Sequence, residues 1–203
     1  NDLAVGAHDD DEGGSDRGAI HIMFMNINGT VASTVEINSS TTNGPTLTNS
    51  DNFGYSVANI GDLNGDGVND IAVGAVGDDN GGSERGTVHI MFMNINGSVS
   101  ISVDSTVSST TYGTVEINSS TTNGPTLTNS DFFGYSVANI GDLNGDGVND
   151  LAVGAVGDNG GGTDHGAIHI MFMNINGTVA STVEINNSTT NGPTLTDVDK
   201  FGV

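Results

Sequence analysis

The chain has 203 residues, with 25 acidic side chains against three basic ones and a net charge of −22. That balance excludes nucleic acid as a partner, because phosphate binding needs clustered Lys and Arg, and it makes cations the natural counterpart. The absence of cysteine excludes a disulfide framework and thiolate metal sites. The 31 glycines, with abundant Asn, Thr and Ser, favour short strands and tight turns over helices.

The opening segment, Asn1-Asp2-Leu3-Ala4-Val5-Gly6-Ala7, returns at Asn69 and again at Asn149. The spacings are 68 and then 80 residues. The chain therefore reads as one array of three repeats, 1–68, 69–148 and 149–203, the last incomplete. The second repeat holds 12 extra residues, rich in Ser, Thr and Val, between about 98 and 114.

One unit predicts four strands. Phe53 to Ile60 is apolar with small residues, and an Asp-rich array then turns the chain. Ile71 to Val76 is a short, wholly apolar run of the kind buried on both faces. An acidic, glycine-rich loop follows, Gly77 to Gly86, whose Asp78 and Asp79, like Asp9 to Glu12 in the first repeat, are expected as solvated loop charge, with binding of additional cations as the alternative. Thr87 to Met93 is the next strand, ended by Asn94-Ile95-Asn96-Gly97 with its Asn-Gly turn signal. Val115-Glu116-Ile117 alternates in polarity as an outer strand does. Four antiparallel strands at fixed spacing predict an all-β fold of tandem propeller-type blades.

The residues shared by the repeats divide into packing and chemistry. Met23, Met25, Met91, Met93, Met171 and Met173 form a core stripe. His21, His89 and His169 recur at one strand position and are expected to pack or hydrogen-bond, whereas His8 and His165 do not recur. No Ser-His-Asp or Cys-His pattern, phosphate loop or paired catalytic carboxylate stands out, so no enzyme is expected, except as a binding accessory of a secreted enzyme whose chemistry lies in another domain.

The chemistry lies in the array between the first two strands, which occurs twice almost letter for letter. Asp62, Asn64 and Asp66 present oxygens at alternate positions, Gly65 and Gly67 permit a sharp loop, Val68 offers its carbonyl, and Asp70 closes the set. The second copy supplies Asp142, Asn144, Asp146, Val148 and Asp150. Calcium takes 6–8 oxygens from such flexible mixed ligands, while magnesium demands a tighter octahedron, so two calcium sites are expected. An EF-hand is ruled out: its twelfth position is a bidentate Glu between helices, and here it is Val73 or Val153 between strands.

Phe-Gly, then Gly-Asp-x-Asn-Gly-Asp-Gly-x-x-Asp, then Val-Gly-Ala resembles the FG-GAP repeat, the blade unit of the integrin α-subunit β-propeller and of many secreted bacterial proteins. The resemblance implies a four-stranded blade with calcium in the hairpin loop between its first two strands. Its ligands fall at Asp62, Asn64, Asp66, Val68 and Asp70, and at Asp142, Asn144, Asp146, Val148 and Asp150. It implies an extracellular, secreted or surface location, no membrane insertion, and a non-catalytic structural or adhesion role with a protein or glycan ligand. The family closes with Gly-Ala-Pro, whereas Gly-Ala here precedes His8, Val76 and Val156.

Two further expectations follow. Asn28, Asn38, Asn96, Asn118, Asn176, Asn186 and Asn187 begin Asn-x-Ser/Thr sequons at recurring positions, which makes them candidate glycosylation sites. The chain opens on the last residues of one array and closes on Lys200-Phe201-Gly202-Val203, the start of another. It is expected to be a window on a larger array, or a protomer that associates head to tail into a filament, Phe201 to Val203 completing a neighbour's first blade.

Overall fold

The computed structural model describes residues 2–100, 102–103 and 111–203. Strands β1 (Leu3–Ala7), β2 (Ala19–Met25) and β3 (Val31–Ile37) form sheet I. Sheet II contains β4 (Phe53–Gly61), β5 (Asp70–Ala75), β6 (Thr87–Met91) and, after a small ladder of β7 (Ser102–Val103) with β8 (Thr111–Tyr112), β9 (Thr114–Ile117). Sheet III is β10 (Phe133–Gly141), β11 (Asp150–Ala155), β12 (Ala167–Met173) and β13 (Val179–Ile185). All three sheets are antiparallel meanders, and the described residues contain no helix, hence none long and apolar enough to cross a membrane. The fold is all-β, as composition and strand pattern predict. Of the insertion expected between about 98 and 114, residues 101 and 104–110 lie outside the described residues.

The hairpins follow from local chemistry. At the ends of β2 and β12 and just beyond β6, the amides of Gly29, Gly97 and Gly177 donate to the carbonyls of Asn26, Asn94 and Asn174 at 2.8–2.9 Å. These glycines have φ of 83°, 81° and 77°, the left-handed region that an Asn-Gly turn uses.

The sheets stack face to face, with sheet II in the middle, and β5 and β6 are buried along their whole length. Ile71, Val73 and Ala75 join Ile20, Ile37, Phe53 and Met91 in one core between sheets I and II. Ala72, Val88, Ile90 and Phe92 join Phe133, Leu151, Val153 and Met171 in a second core between sheets II and III. The Ile71–Val76 run therefore serves both faces, as a doubly buried strand should. Met91, Met93, Met171 and Met173 are buried, while Met23 and Met25 are half-buried.

A recurrent backbone bond links sheet I to sheet II, sheet II to sheet III, and sheet III to Phe201. The amides of Phe53, Phe133 and Phe201 donate to the carbonyls of Arg17, Arg85 and His165 at 3.0, 2.9 and 2.9 Å. The glycine after each Phe then lies against the Gly of the preceding Val-Gly-Ala strand. A Cβ on Gly6 would stand 1.8 Å from the Gly54 oxygen, and one on Gly74 would stand 2.0 Å from that of Gly134. Ser56 Oγ donates to Gly134 O and Ser136 Oγ to Gly202 O, both at 2.7 Å. Phe-Gly and Val-Gly-Ala, distant in sequence within a repeat, are the two halves of this sheet-to-sheet joint.

Candidate functional site

The Asp array occupies the hairpin loop between β4 and β5, and its copy lies between β10 and β11. Side chains shape the loop by accepting backbone N–H bonds, the habit of Asp and Asn in turns. The Asp62 carboxylate accepts from Gly65, Asp66 and Gly67 at 2.8, 3.0 and 2.8 Å. Asn64 Oδ1 accepts from Asp66 at 2.9 Å, and Asp66 Oδ1 from Val68 at 2.8 Å. Gly65 and Gly67 sit at φ of 79° and 89°. Asp142, Asn144 and Asp146 repeat these bonds at 2.7–3.0 Å.

Asp70 and Asp150 behave differently, because each is fully buried at the start of its strand. Asp70 accepts from Leu63 N at 2.9 Å and from Met93 N at 3.0 Å, tying the loop to the segment after β6. Asp150 does the same with Leu143 and Met173 at 2.9 and 3.1 Å. Burial pushes the Asp70 carboxyl up to about 6 against the lowering effect of those amides, and Asp66 adds to the rise. Asp142 is held below the usual carboxylate range, chiefly by the Gly147 N–H. Val68 and Val148 turn their side chains onto the two cores.

The ten predicted residues thus lie on two equivalent loops of hard oxygen donors without a Lys, Arg or His. The donor chemistry fits a hard cation. A carboxylate has about four lone-pair sites, and Asp62 uses three of them while Asp70 uses two. The loop carboxylates are not gathered into a cluster. Among the described residues, only Asp158, His169 and Glu184 bring His or carboxylate ligand atoms within 4.8 Å of one another as a group of three.

The recurrent histidines pack, as expected. His89 and His169 are fully buried and make edge-on contacts with Phe53 and Phe133 at ring distances of 5.3 and 5.5 Å. Neither ring has a hydrogen-bond partner on either nitrogen. Burial pushes His89 down to about 3 and His169 down to about 4. A lowered histidine contributes stability above its unfolded pKa near 6.5, and that stability is lost as pH falls toward the folded value. Between pH 7.5 and 4.5, His89→Phe is expected to lose about 2–3 kcal/mol less than the wild type, read as urea midpoints. Equal losses would contradict this account of His89.

His165 takes the place of Arg17 and Arg85. Where those arginines donate to Asn49 and Asn129 at 3.1 and 3.0 Å, His165 Nε2 meets Asp197 Oδ1 at 3.0 Å. Asp78 departs from the solvated loop charge expected of it. It is 2% exposed, caps Asn80 N at 2.6 Å, and burial pushes it up to about 6. Asp79 is exposed. Asp158 is buried in the same way as Asp78; the sequence pattern marked Asp78 as solvated charge and did not single out Asp158. The available signal was an Asp placed 11 residues before each recurrent His, at Asp10, Asp78 and Asp158.

The sequons fall into two groups. Asn28 and Asn96 are exposed at hairpin tips, and Asn176 is half-buried at the third tip. Asn186 and Asn187 are half-buried, whereas Asn38 and Asn118 are only 6% and 7% exposed. Asn38 Nδ2 donates to Glu36 at 2.7 Å, and Asn38 and Asn118 accept from Ser40 N and Ser120 N. Expression in a host that N-glycosylates is expected to give higher occupancy at Asn28 and Asn96 than at Asn38 and Asn118. Glycopeptide mapping would show this, and even occupancy across the four would contradict it.

A model of the FG-GAP repeat matches residues 53–91 and 133–171, which are β4 to β6 and β10 to β12 with their Asp loops. No curated protein matches the chain. The chain thus carries two FG-GAP repeats, at 53–91 and 133–171, each holding one Asp loop and the first three strands of its sheet.

Proposed function

We propose that this chain is a calcium-stabilised, non-catalytic module of an extracellular β-propeller of the integrin α type, serving structure or adhesion at a cell surface or in a secreted protein. The observation that carries the reading is the pair of equivalent hairpin loops. Each presents Asp, Asn and Asp oxygens on a glycine-turned backbone and anchors them with a buried Asp, Asp70 or Asp150. In the first loop Asp62, Asn64, Asp66, the Val68 carbonyl and Asp70 would hold the ion, and their counterparts 80 residues on would hold the second. A bound dication supplies positive charge to carboxylates that otherwise repel one another, and it favours the folded chain by mass action.

The test is thermal unfolding in excess calcium against excess chelator. At about 100 times Kd each occupied loop adds about 2.7 kcal/mol, so calcium is expected to raise Tm by several degrees per site. An equal Tm in calcium and in chelator contradicts the reading.

A second reading, the protomer of a glycosylated head-to-tail filament, draws support from the sheet joint. The same Phe amide to carbonyl bond recurs at Phe53, Phe133 and Phe201. A contact that repeats without closing generates a fibre. Light scattering of the purified chain distinguishes the two, since indefinite growth with concentration supports the filament and a fixed mass contradicts it.

A further inference from the structure

Each sheet pairs its recurrent histidine with a glutamate on the neighbouring outer strand: His21 with Glu36, His89 with Glu116, and His169 with Glu184. Directly opposed residues share a face. The Asp located 11 residues before each histidine completes a set of three, and only in sheet III do the ligand atoms of all three lie within 4.8 Å of one another.

The position two residues after that Asp explains the difference between sheets. In sheet II it is Asn80, whose Nδ2 lies 3.5 Å from Asp78 Oδ2 and 3.3 Å from Glu116 Oε2, so a neutral amide fills the space between the carboxylates. In sheet I it is Glu12, held above the usual carboxylate range chiefly by the neighbouring charge of Glu36. In sheet III it is Gly160. A Cβ built there would stand 2.7 Å from Asp158 Oδ1, 3.0 Å from Glu184 Oε1 and 2.4 Å from Asn186 Nδ2. With no side chain of its own, Gly160 lets the backbone come close to both carboxylates, where sheet II places the Asn80 side chain.

The fully buried His169 imidazole, with no partner on either nitrogen, lies within 4.8 Å of both carboxylates. Asp158 is 6% exposed, and Gly160 N donates to its Oδ1 at 2.6 Å. Asn186 Nδ2 donates to Glu184 Oε1. The fully buried Asp131, whose carboxyl accepts from Thr128 N and Oγ1, adds further negative charge. Placing the buried Asp158 and the half-buried Glu184 beside an unpaired buried imidazole is costly unless a cation compensates the carboxylates.

We propose that Asp158, His169 and Glu184 bind a divalent first-row transition-metal ion of the zinc class, at a site separate from the hairpin loops. An imidazole nitrogen with two carboxylate oxygens is a donor set for zinc, which accepts three protein ligands and keeps a fourth position open. Calcium, with its 6–8 oxygens, fits this set poorly. Small side-chain rotations bring the three atoms to the roughly 3.5 Å that separates neighbouring ligands on a tetrahedral ion.

The probe is Zn2+ alone, measured by equilibrium dialysis of the full chain in saturating calcium, so that failure of the calcium reading leaves the result interpretable. Wild type is expected to bind one zinc per chain. His169→Gln and Gly160→Asn, the latter copying the residue sheet II tolerates, are expected to weaken binding by about tenfold or more while zinc-free melting shows a folded chain. Asn80→Gly is expected to raise the stoichiometry to two by freeing Asp78, His89 and Glu116. No zinc bound, or one zinc that neither His169→Gln nor Gly160→Asn affects, overturns the site. One zinc in Asn80→Gly overturns the role given to the amide.

Discussion

Gly74→Val is expected to cost about 3 kcal/mol or more and to loosen sheet III from sheet II. A Cβ at this position would meet the Gly134 carbonyl at 2.0 Å and Ser56 Oγ at 2.5 Å. The first of these is backbone, so no rotamer change relieves it, and the sheets must separate where their cores are closest. Relief by tilting sheet III would also stretch the Ser56 bond to Gly134 O and the Phe133 bond to Arg85 O. Gly29→Asn provides the control. Gly29 sits at φ 83° with nothing within 4 Å of a Cβ, and Asn tolerates that conformation, so the change should cost under about 1 kcal/mol. Urea midpoints at unchanged slope measure both. A Gly74→Val midpoint equal to that of Gly29→Asn would refute the joint.

Phe133→Ala is expected to cost about 3–5 kcal/mol. Phe133 is fully buried in the core shared by sheets II and III, and its ring meets His169 edge-on at 5.5 Å and 77°. Truncation leaves a cavity lined by two sheets whose spacing the Gly74–Gly134 contact fixes, so collapse around it is limited. Phe133→Leu keeps most of the volume and should cost less than about 1.5 kcal/mol. A double-mutant cycle with His169→Leu should return a coupling of about 0.5–1.5 kcal/mol for the ring pair. A cost for Phe133→Ala below that of Phe133→Leu would show that the joint does not depend on the ring.

The strand order and the Asp loops were legible because both are local. Ile71 to Val76 reads as doubly buried from six successive apolar residues, and it packs on two sheets. The loops at Asp62 and Asp142 follow from side chains bonding amides three to five residues on. What escaped depends on register and stacking. That Phe-Gly faces the Gly of the previous sheet's Val-Gly-Ala strand requires knowing how sheets stack. His169 opposes Glu184 only because a hairpin with a register shift at Phe172 sets that pairing. Asp78 looked like one more charge in an acidic loop, yet the loop folds back so that its carboxyl is covered. The sequons illustrate the same boundary. Asn28 and Asn38 are equivalent as motifs, and only the turn after β3, where Asn38 bonds Glu36 and Ser40, makes one of them buried.

Calcium titration calorimetry of the zinc-free chain decides whether the two hairpin loops bind calcium. The hairpin-loop account predicts two calcium ions per chain, with Asp66→Ala and Asp146→Ala each removing one and the double variant removing both. No calcium binding at millimolar concentration, or a stoichiometry that these substitutions leave unchanged, would contradict it.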